Sequence, residues 1–299
     1  MKICNQSIKI TGKILRVARP DADKFIFLDC DPREISAGLR KCGKRVDLFT
    51  FMDRLPGSAQ RFDFPMELDN LAAIRITTFD NWWMNQLGFK ARNKAKQAGK
   101  KGVVLRQVPF DDDLADAIWQ IYNETPVRQG RHFPHFGKSL EQVRAESATY
   151  LENSVFIGAF LENKMIGFVK ILFDGLGAQA GLLNIVSLIA HRDKAPTNAL
   201  VAEAVRICAD RGVSFLTYSN FSYGKKEQDS LSDFKERNAF ERIDVPRYFV
   251  PLTPLGRAAL KFGLHHDIKD RLPQSVSEKL RQIRQVWYSR RYKSLTEAS

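Results

Sequence analysis

The segment "IYNETPVRQGRHFPHFGKS", residues 121–139, combines groups that can move protons with groups that can hold anions. Glu124 can accept a proton from an attacking amine, and His132 or His135 can act as a base near neutral pH. A loop of this length is typical of a binding or covering role. Four side chains of the loop can hold an anionic acceptor or a phosphate: Arg128, Arg131, His132 and Lys138.

Two other interpretations of this loop stay open. His132 and His135 have the spacing of a pair of metal ligands, but the sequence shows no third ligand cluster, and zinc sites need three or four ligands. We therefore predict no metal. The loop can also be a structural Ω-loop that is closed by its own side chains.

The segments on both sides of the loop predict helices that hold its ends. "DDDLADAIWQIYNE" begins with three aspartates and places Leu114, Ile118 and Ile121 at helical spacing. "SLEQVRAESATYLEN" begins with Ser139 and Gln142 in the arrangement of a capping box. A strand hairpin is predicted next, in "SVFIGAFLENKMIGFVKILF". The remaining patterns predict strand, helix, strand, helix and strand in "AGLLNIVSLIA", "TNALVAEAVRICADRG", "VSFLTYS", "SLSDFKERNAF" and "VPRYFVPL".

The composition is that of a globular protein, because 44% of the 299 residues are hydrophobic. No apolar run has transmembrane length and the N-terminus is too polar for a secretory signal, so we expect a cytoplasmic protein. The cysteines are scattered without a CxxC pair, which predicts reduced thiols, and Cys208 is expected to be buried and inert. His265 and His266 are expected at surface positions.

The formal charge of +13 is concentrated in two short segments, residues 75–106 with +7 and residues 256–299 with +6. We expect the two segments to form one surface. The first contains a helix whose small apolar stripe leaves most of its circumference cationic; the stripe is Leu87, Ala91, Ala95 and Ala98. Such a surface suits a phosphate backbone such as that of tRNA, a nucleotide headgroup or an anionic lipid face, and a solvated face is the alternative.

The order of the elements resembles the core of the GNAT acyltransferase superfamily over roughly residues 107–251. The hairpin "FIGAFLENKMIGFVKI" is similar to the second and third strands of that fold, and "LSDFKERNAFERIDVPRYFVPL" is similar to its closing helix and strand. The resemblance implies an α/β fold with a mixed central sheet flanked by helices. It also implies that the loop of residues 121–139 covers the acceptor side of the site, with Glu124, Arg128, Arg131 and His135 facing the acceptor.

In GNAT proteins, a glycine-rich loop after the fourth strand binds the phosphates of coenzyme A with backbone N–H groups at a helix N-terminus. The matching stretch here, "AHRDKAPTNAL", has no glycine, so the backbone approaches a phosphate less freely. The resemblance nevertheless implies a donor site in which acyl-CoA is the co-substrate. Six residues are assigned to it: Ser187, Ile189, His191, Arg192, Lys194 and Asn198.

Two features resemble the Fem-like branch of this superfamily, whose members use aminoacyl-tRNA to extend peptidoglycan precursors. Phe234 is followed by Lys235 where many GNAT proteins have a tyrosine, and "FKARNKAKQAGKKGVVL" is similar to the basic segment before the second half of Fem-like proteins. Residues 1 to about 80 are then a reduced first half, with strand remnants in "DLFTFMDRL" and "NLAAIRITTF". The catalytic candidates become Glu124, His135, Tyr218 and Lys235, with Tyr218 or Tyr223 as acid for a leaving group.

The sequence therefore predicts three parts: an N-terminal α/β half (1–106), a GNAT-like domain (107–255) and a basic helical tail (256–299). The predicted activity is transfer of an acyl group, from acyl-CoA, onto an amine of a polar acceptor, with oxyanion-binding amides near Ser187 to Ala190. Two alternatives stay open. One is a Fem-like aminoacyltransferase that uses charged tRNA for cell-envelope precursors, and the other is a non-catalytic protein that binds an anionic polymer or partner.

Overall fold

A computed structural model describes residues 1–25, 28, 30–57, 60–128, 131–222 and 230–266. Two compact units share these residues. The first comprises Met1–Gly88, Ile171–Leu183 and 205–266, and the second comprises Phe89–Lys170 and Asn184–Ala204. Gly130, Tyr223 and residues 267–299 of the predicted tail lie outside the described residues. The division into 1–106, 107–255 and 256–299 stays a prediction.

The elements follow the order that the sequence patterns predict. The strands are β1 (Lys2–Ile3), β2 (Gln6–Thr11), β3 (Val17–Pro20), β4 (Leu48–Met52), β5 (Met66–Arg75), β6 (Val104–Val108), β7 (Val127–Arg128), β8 (Arg131–His132), β9 (Ser154–Leu161), β10 (Lys164–Phe173), β11 (Gln179–Ser187), β12 (Phe215–Thr217) and β13 (Glu241–Pro251). The α-helices are α1 (Pro32–Lys41), α2 (Phe79–Asn81), α3 (Phe89–Lys100), α4 (Asp112–Tyr122), α5 (Leu140–Ser147), α6 (Pro196–Asp210), α7 (Ser230–Arg237) and α8 (Pro254–Lys261). A π-helical turn covers Trp82–Gln86, and 3₁₀ helices cover Leu151–Asn153 and Ile189–Lys194.

In the first unit the strands run in the order β1-β2-β3-β4-β13-β5-β12, with β12 parallel to the first residues of β11. Both predicted strand remnants of the N-terminal half are confirmed as β4 and β5. β5 pairs antiparallel with β12 on one side and with β13 on the other. The core of this unit is aromatic, with Phe49, Phe51 and Tyr248 fully buried.

In the second unit, β11, β10, β9 and β6 are neighbours in that order. The predicted hairpin is confirmed, because β9 and β10 are joined through Glu162 and Asn163, both at positive φ. The predicted capping box is also present: Ser139 Oγ accepts from Gln142 N at 3.2 Å, and Gln142 Oε1 accepts from Ser139 N at 3.1 Å. Apolar side chains of α4 and α5 pack on β9 and β10 to form the core: Leu114, Ile118, Ile121, Tyr122, Val143, Phe156, Met165 and Phe168.

The fold class that the sequence predicts, a mixed central sheet flanked by helices, is confirmed. The predicted donor loop differs in detail, because residues Ile189–Lys194 form a 3₁₀ helix before Ala195 turns the chain at a φ of 53° and α6 begins at Pro196. None of the described helices has the length and the apolar composition needed to cross a membrane.

Candidate functional site

Glu124 joins the loop after α4 to the 3₁₀ helix Ile189–Lys194. Its Oε2 accepts a hydrogen bond from Ile189 N at 2.7 Å, and its Oε1 accepts one from Ala190 N at 3.0 Å. The guanidinium of Arg128 completes the arrangement, with Nη2 at 3.0 Å from Glu124 Oε2. Glu124 therefore has three hydrogen-bond donors and connects the two segments. The predicted role of Glu124 as a base stays a prediction.

Arg128 connects the same loop to β11 and α4. Its Nη1 donates to Ser187 O at 2.7 Å, and its Nη2 also donates to Ile121 O at 3.0 Å. The guanidinium lies 4.6 Å from the centre of the Phe133 ring, which is a cation–π contact. Burial lowers the pKa of Arg128, against the opposing effect of Glu124. Arg128 therefore has an extensive set of partners within the protein.

The sequence analysis assigns a set of backbone amides to the oxyanion and the donor phosphates. These amides have acceptors within the second unit. Leu188 N donates to Ile166 O at 2.8 Å, and Ile189 N and Ala190 N both donate to Glu124. The side chain of Glu124 therefore occupies two of the amides that the sequence analysis assigns to the donor site.

His135 is a group of the loop that its surroundings hold in the neutral form, the form that can accept a proton from a substrate. Its ring stacks on Tyr122 with centroids 4.3 Å apart, and Lys138 Nζ lies 3.4 Å from its Nδ1. Burial lowers the pKa of His135, and the positive charge of Lys138 lowers it further, so the ring is neutral at pH 7. Lys138 itself forms a salt bridge with Glu146 at 2.6 Å. A neutral imidazole is the form that can act as a base.

Tyr122, which the sequence analysis did not assign to the site, packs beside this histidine in the second unit. The Tyr122 hydroxyl accepts a hydrogen bond from Asn184 Nδ2 of β11 at 3.1 Å, and burial raises the pKa of Tyr122, so the hydroxyl stays protonated. Arg131 and His132 form β8, which pairs with β7, and Arg131 is exposed whereas His132 is half-buried. The structure therefore brings Glu124, Arg128, His135 and Lys138 into one connected group.

The side chains of the predicted donor loop lie beside this group. Ser187 Oγ and Thr197 Oγ1 are 2.9 Å apart, a contact that links the end of β11 to the first turn of α6. His191, Lys194 and Asn198 are half-buried, whereas Arg192 is exposed. Their predicted role in holding donor phosphates stays a prediction.

The basic helix α3 contacts the 3₁₀ helix within the second unit. Lys101, directly after α3, donates to Asp193 O at 2.9 Å and approaches Asp193 Oδ2 at 3.2 Å. The predicted apolar stripe is confirmed in part: Ala91 and Ala98 of α3 are buried and Ala95 is half-buried, whereas Leu87, also buried, precedes the helix. The lysines on the rest of the helix are exposed: Lys90, Lys94, Lys96 and Lys100. The cations of α3 and of the 3₁₀ helix therefore lie on neighbouring segments.

Tyr218 and Lys235 belong to the first unit and form a group there. The Lys235 side chain is fully buried, its Nζ donates to Asn220 O, and it lies 4.9 Å from the centre of the Tyr218 ring. Tyr218 also packs near Phe240, with centroids 5.7 Å apart. The packing of Tyr218 is thus observed, and its role as an acid stays a prediction.

Sequence reasoning missed a charged network in the first unit. Arg247 of β13 approaches Asp23 Oδ2 at 2.7 Å and Asp69 Oδ2 at 3.0 Å. Asn220 Nδ2 donates to Asp69 Oδ1 at 2.8 Å, and Lys24 Nζ donates to Asn220 Oδ1. Burial lowers the pKa of Lys24. These residues are scattered along the chain with no common motif, so the sequence carries no signal for them.

Lys170 is a second residue that the sequence analysis missed, and here a signal existed. It is the one charged residue within the apolar run "MIGFVKILF". Its side chain is 1% exposed, and its Nζ donates to Ser147 O at 2.9 Å and to Thr149 O, the carbonyls at the end of α5. Burial lowers the pKa of Lys170 to about 8. Cys208, as predicted, is buried, and burial raises the pKa of its thiol to about 12.

Comparison with known proteins adds fold relatives but no sequence family. The chain matches no family model and no curated protein. The C-terminal domain assigned to a lysylphosphatidylglycerol synthetase of Agrobacterium fabrum is similar with a TM-score of 0.56 and 13% identity, over 86% of this chain and 83% of that one. FemX is similar with a TM-score of 0.56 and 10% identity, over 85% and 86% of the two chains. L-PGS from Bacillus licheniformis is similar with a TM-score of 0.53 and 13% identity, over 85% and 83%.

Identities this low show the fold alone, and the fold agrees with the one that the sequence predicts. The chain shares the α/β fold of these three structures.

Proposed function

We propose that this protein transfers an aminoacyl group from aminoacyl-tRNA to a nucleophile of a cell-envelope molecule. The observation that carries this proposal is the cationic surface formed by α3 and the 3₁₀ helix. Lys101, directly after α3, joins the two helices through its contacts with Asp193. No acidic residue occurs between Asp80 and Asp111, so the stretch that contains α3 has a concentrated positive charge. A nucleic-acid backbone, with regularly spaced negative charges, is the ligand that such a surface suits.

The Glu124 contacts favour this donor over acyl-CoA, the donor that the GNAT resemblance implies. A coenzyme A pyrophosphate bound to the amides of Ile189 and Ala190 has to displace a carboxylate held at 2.7 and 3.0 Å. The glycine-free loop makes that approach harder still. An aminoacyl ester on tRNA carries no pyrophosphate and can be held by contacts to the nucleic acid elsewhere.

The chemistry asks little of the protein beyond orientation and proton transfer. The nucleophile of the acceptor, an amine or a hydroxyl, attacks the carbonyl carbon of the aminoacyl ester, and a new C–N or C–O bond forms. The bond from that carbon to the ribose oxygen of tRNA breaks, and the ribose oxygen takes up a proton. His135, whose pKa burial lowers, is our candidate for the base that receives the proton of the nucleophile.

The fold relatives support the same choice of donor and acceptor. One of them carries the name lysylphosphatidylglycerol synthetase, which describes a lysyl group joined to a lipid, and another is FemX. By analogy, the acceptor of this chain is an anionic lipid or a peptidoglycan precursor. Arg131 and His132 are the residues that we assign to its anionic group, and the cytoplasm, where charged tRNA is made, is the proposed location.

The test is a transfer assay with aminoacyl-tRNA that carries a radiolabelled amino acid. Mixed aminoacyl-tRNAs are incubated with the purified chain and either phosphatidylglycerol vesicles or a lipid-linked peptidoglycan precursor, and label is measured in the lipid fraction. We expect label in one of the two acceptors and no heat of binding when acetyl-CoA is titrated into the protein.

Two other results point elsewhere. Stoichiometric binding of acetyl-CoA without binding of tRNA establishes the acyl-CoA transferase instead. Tight binding of tRNA without transfer to either acceptor supports the non-catalytic binding protein.

A further inference from the structure

His265 and His266, which the sequence analysis expects at surface positions, converge with Glu67 at one point of the first unit. Glu67 Oε1 lies 2.9 Å from His265 Nε2 and 3.3 Å from His266 Nε2. One ligand atom from each residue lies within 4.8 Å of the other two. We call these three side chains the Glu67–His265–His266 cluster. In the part of the chain that the structure describes, no other group of three such side chains meets this condition.

Local structure explains why the two histidines point to the same place. Helix α8 ends near Lys261, and Gly263, at a φ of 62°, turns the chain so that His265 and His266 return toward the beginning of β5. The two imidazole rings lie 4.0 Å apart, and His265 packs edge-on against Phe249. The side chain of His265 is only 5% exposed, so the expected surface position is wrong for this residue.

His265 has an acceptor at each ring nitrogen. Its Nδ1 lies 3.4 Å from Ala259 O, and its Nε2 lies 2.9 Å from Glu67 Oε1, so without a metal ion Nε2–H can donate to the carboxylate. Metal-binding histidines commonly donate their other ring N–H to a backbone carbonyl, and Ala259 O is placed to accept from Nδ1. A cation between Nε2 and Glu67 Oε1 takes the place of the Nε2 hydrogen.

We propose that the Glu67–His265–His266 cluster binds a divalent transition-metal ion, with Zn²⁺ as the best fit. Two imidazole nitrogens and one carboxylate oxygen are a ligand set that zinc accepts, with a water as fourth ligand. Bonds of about 2.0 Å in a tetrahedron place neighbouring ligand atoms about 3.3 Å apart. The separations of 2.9 and 3.3 Å are close to that value. Glu67 and His266 are 45% and 43% exposed, which leaves solvent access for the fourth ligand.

The ion joins two segments that are far apart in sequence. Glu67 belongs to β5, where it is the Cα partner of Arg247, and the histidines follow α8. A bound ion therefore links β5 to the segment that follows α8. The proposal is independent of the donor and the acceptor, and it departs from the prediction that the protein uses no metal.

The experiment is a zinc titration of the untagged full chain after treatment with a chelator. Isothermal calorimetry gives the stoichiometry and the affinity, and elemental analysis after desalting gives the metal content. We expect one Zn²⁺ per chain and a higher melting temperature with zinc, because a ligand that binds only the native state stabilises it. Glu67→Gln and His266→Asn, both at exposed positions, should each weaken zinc binding by about tenfold or more.

Glu241→Gln is the matched control, since it changes an exposed carboxylate on β13 of the same unit that lies outside the cluster. It should bind zinc like the unaltered chain. His132, His135 and His191 stay in every variant, so binding that survives both Glu67→Gln and His266→Asn belongs to other groups and overturns the proposal. Absence of stoichiometric zinc binding by the unaltered chain overturns it as well and leaves the cluster as hydrogen-bonded side chains.

Discussion

The carboxylate of Glu124 accepts a hydrogen bond from the backbone N–H of Ile189 at 2.7 Å, across 65 positions of the sequence. The first residue belongs to the polar loop after α4, and the second begins the 3₁₀ helix that follows β11. Through this contact, the loop holds the 3₁₀ helix of the predicted donor site in place. It also gives Glu124 a measurable structural role beside the catalytic one that its position suggests.

Replacing Glu124 by Ala should destabilise the protein. The substitution leaves the amides of Ile189 and Ala190 without their acceptor and removes the carboxylate partner of Arg128. Removing one partner of a largely buried charge pair costs about 3 kcal/mol. Urea unfolding measures the free energy. Glu141→Ala, at an exposed carboxylate in the first turn of α5, is the control and should change stability by less than about 0.5 kcal/mol.

Activity separates the two roles of Glu124. If this carboxylate only positions the 3₁₀ helix, Glu124→Gln should retain part of the turnover at low temperature. The retained part should follow the fraction of the variant that is folded. A loss of more than about a hundredfold in kcat with an unshifted melting temperature would instead make Glu124 a proton acceptor.

Elements that depend on neighbouring residues were predictable from the sequence, and links between distant segments were not. The capping box at Ser139 and the turn at Glu162 and Asn163 are set by local hydrogen bonds and backbone preferences, and both are observed. The position of β5 between β12 and β13 depends on pairing across most of the chain. No local sequence pattern encodes such pairing. The Glu124 contacts also join segments that are far apart in sequence, so the sequence analysis did not predict them.

Gly167→Ala should destabilise the second unit. A Cβ at Gly167 lies 2.9 Å from Ser187 Cβ and 3.2 Å from Val186 O, so β10 and β11 have to move apart, at a cost of about 1–3 kcal/mol. Gly99→Ala on α3 is the matched control, because nothing lies within 4 Å of its Cβ. It should stabilise the protein by up to about 1 kcal/mol, since alanine favours helix. Equal effects of the two substitutions in thermal unfolding would contradict the close packing at Ser187.

Lys170 should make stability depend on pH on the alkaline side. Burial lowers the pKa of Lys170 to about 8, below its ordinary value of 10.5, so between these values the unfolded chain binds more protons than the folded one. The contribution to the free energy of unfolding therefore rises with pH from about 8 to 10.5 and is lost as pH falls through that window. The full change is about 3 kcal/mol.

Lys170→Met provides the comparison, since methionine fills a similar volume without a charge. The variant should lack the rise that the unaltered chain shows in urea unfolding across this window. Parallel pH profiles for the two proteins would mean that the lysine is charged at no cost in its buried position.

If His135 is the base, kcat/KM should fall on the acidic side of the pH profile, where the imidazole becomes protonated. Its pKa is lowered by burial and by Lys138, so kcat/KM rises with pH through a value below the ordinary 6.5 of histidine and is level at neutral pH. Lys138→Met removes the positive charge and should move this limb to higher pH. Lys164→Met, at an exposed lysine at the start of β10, should leave the profile unchanged. An acidic limb that stays in place in Lys138→Met would remove His135 from the proton transfer.

The charged surface of α3 can be tested separately from catalysis. Binding of tRNA through phosphate contacts releases counterions, so affinity falls with salt in proportion to the number of contacts. Replacing Lys90, Lys94 and Lys100 by Gln should lower the slope of log K against log salt by about 2, since each contact contributes about 0.7–0.9.

The matched control is the triple replacement of Lys9, Lys13 and Lys44 by Gln, three exposed lysines of the first unit, which changes the net charge equally. If α3 is the binding surface, the control keeps the slope of the unaltered chain, because net charge alone acts at long range and is screened at physiological salt. A slope that falls equally in both triple variants would show that tRNA responds to the overall charge of +13 and that α3 is only a solvated face.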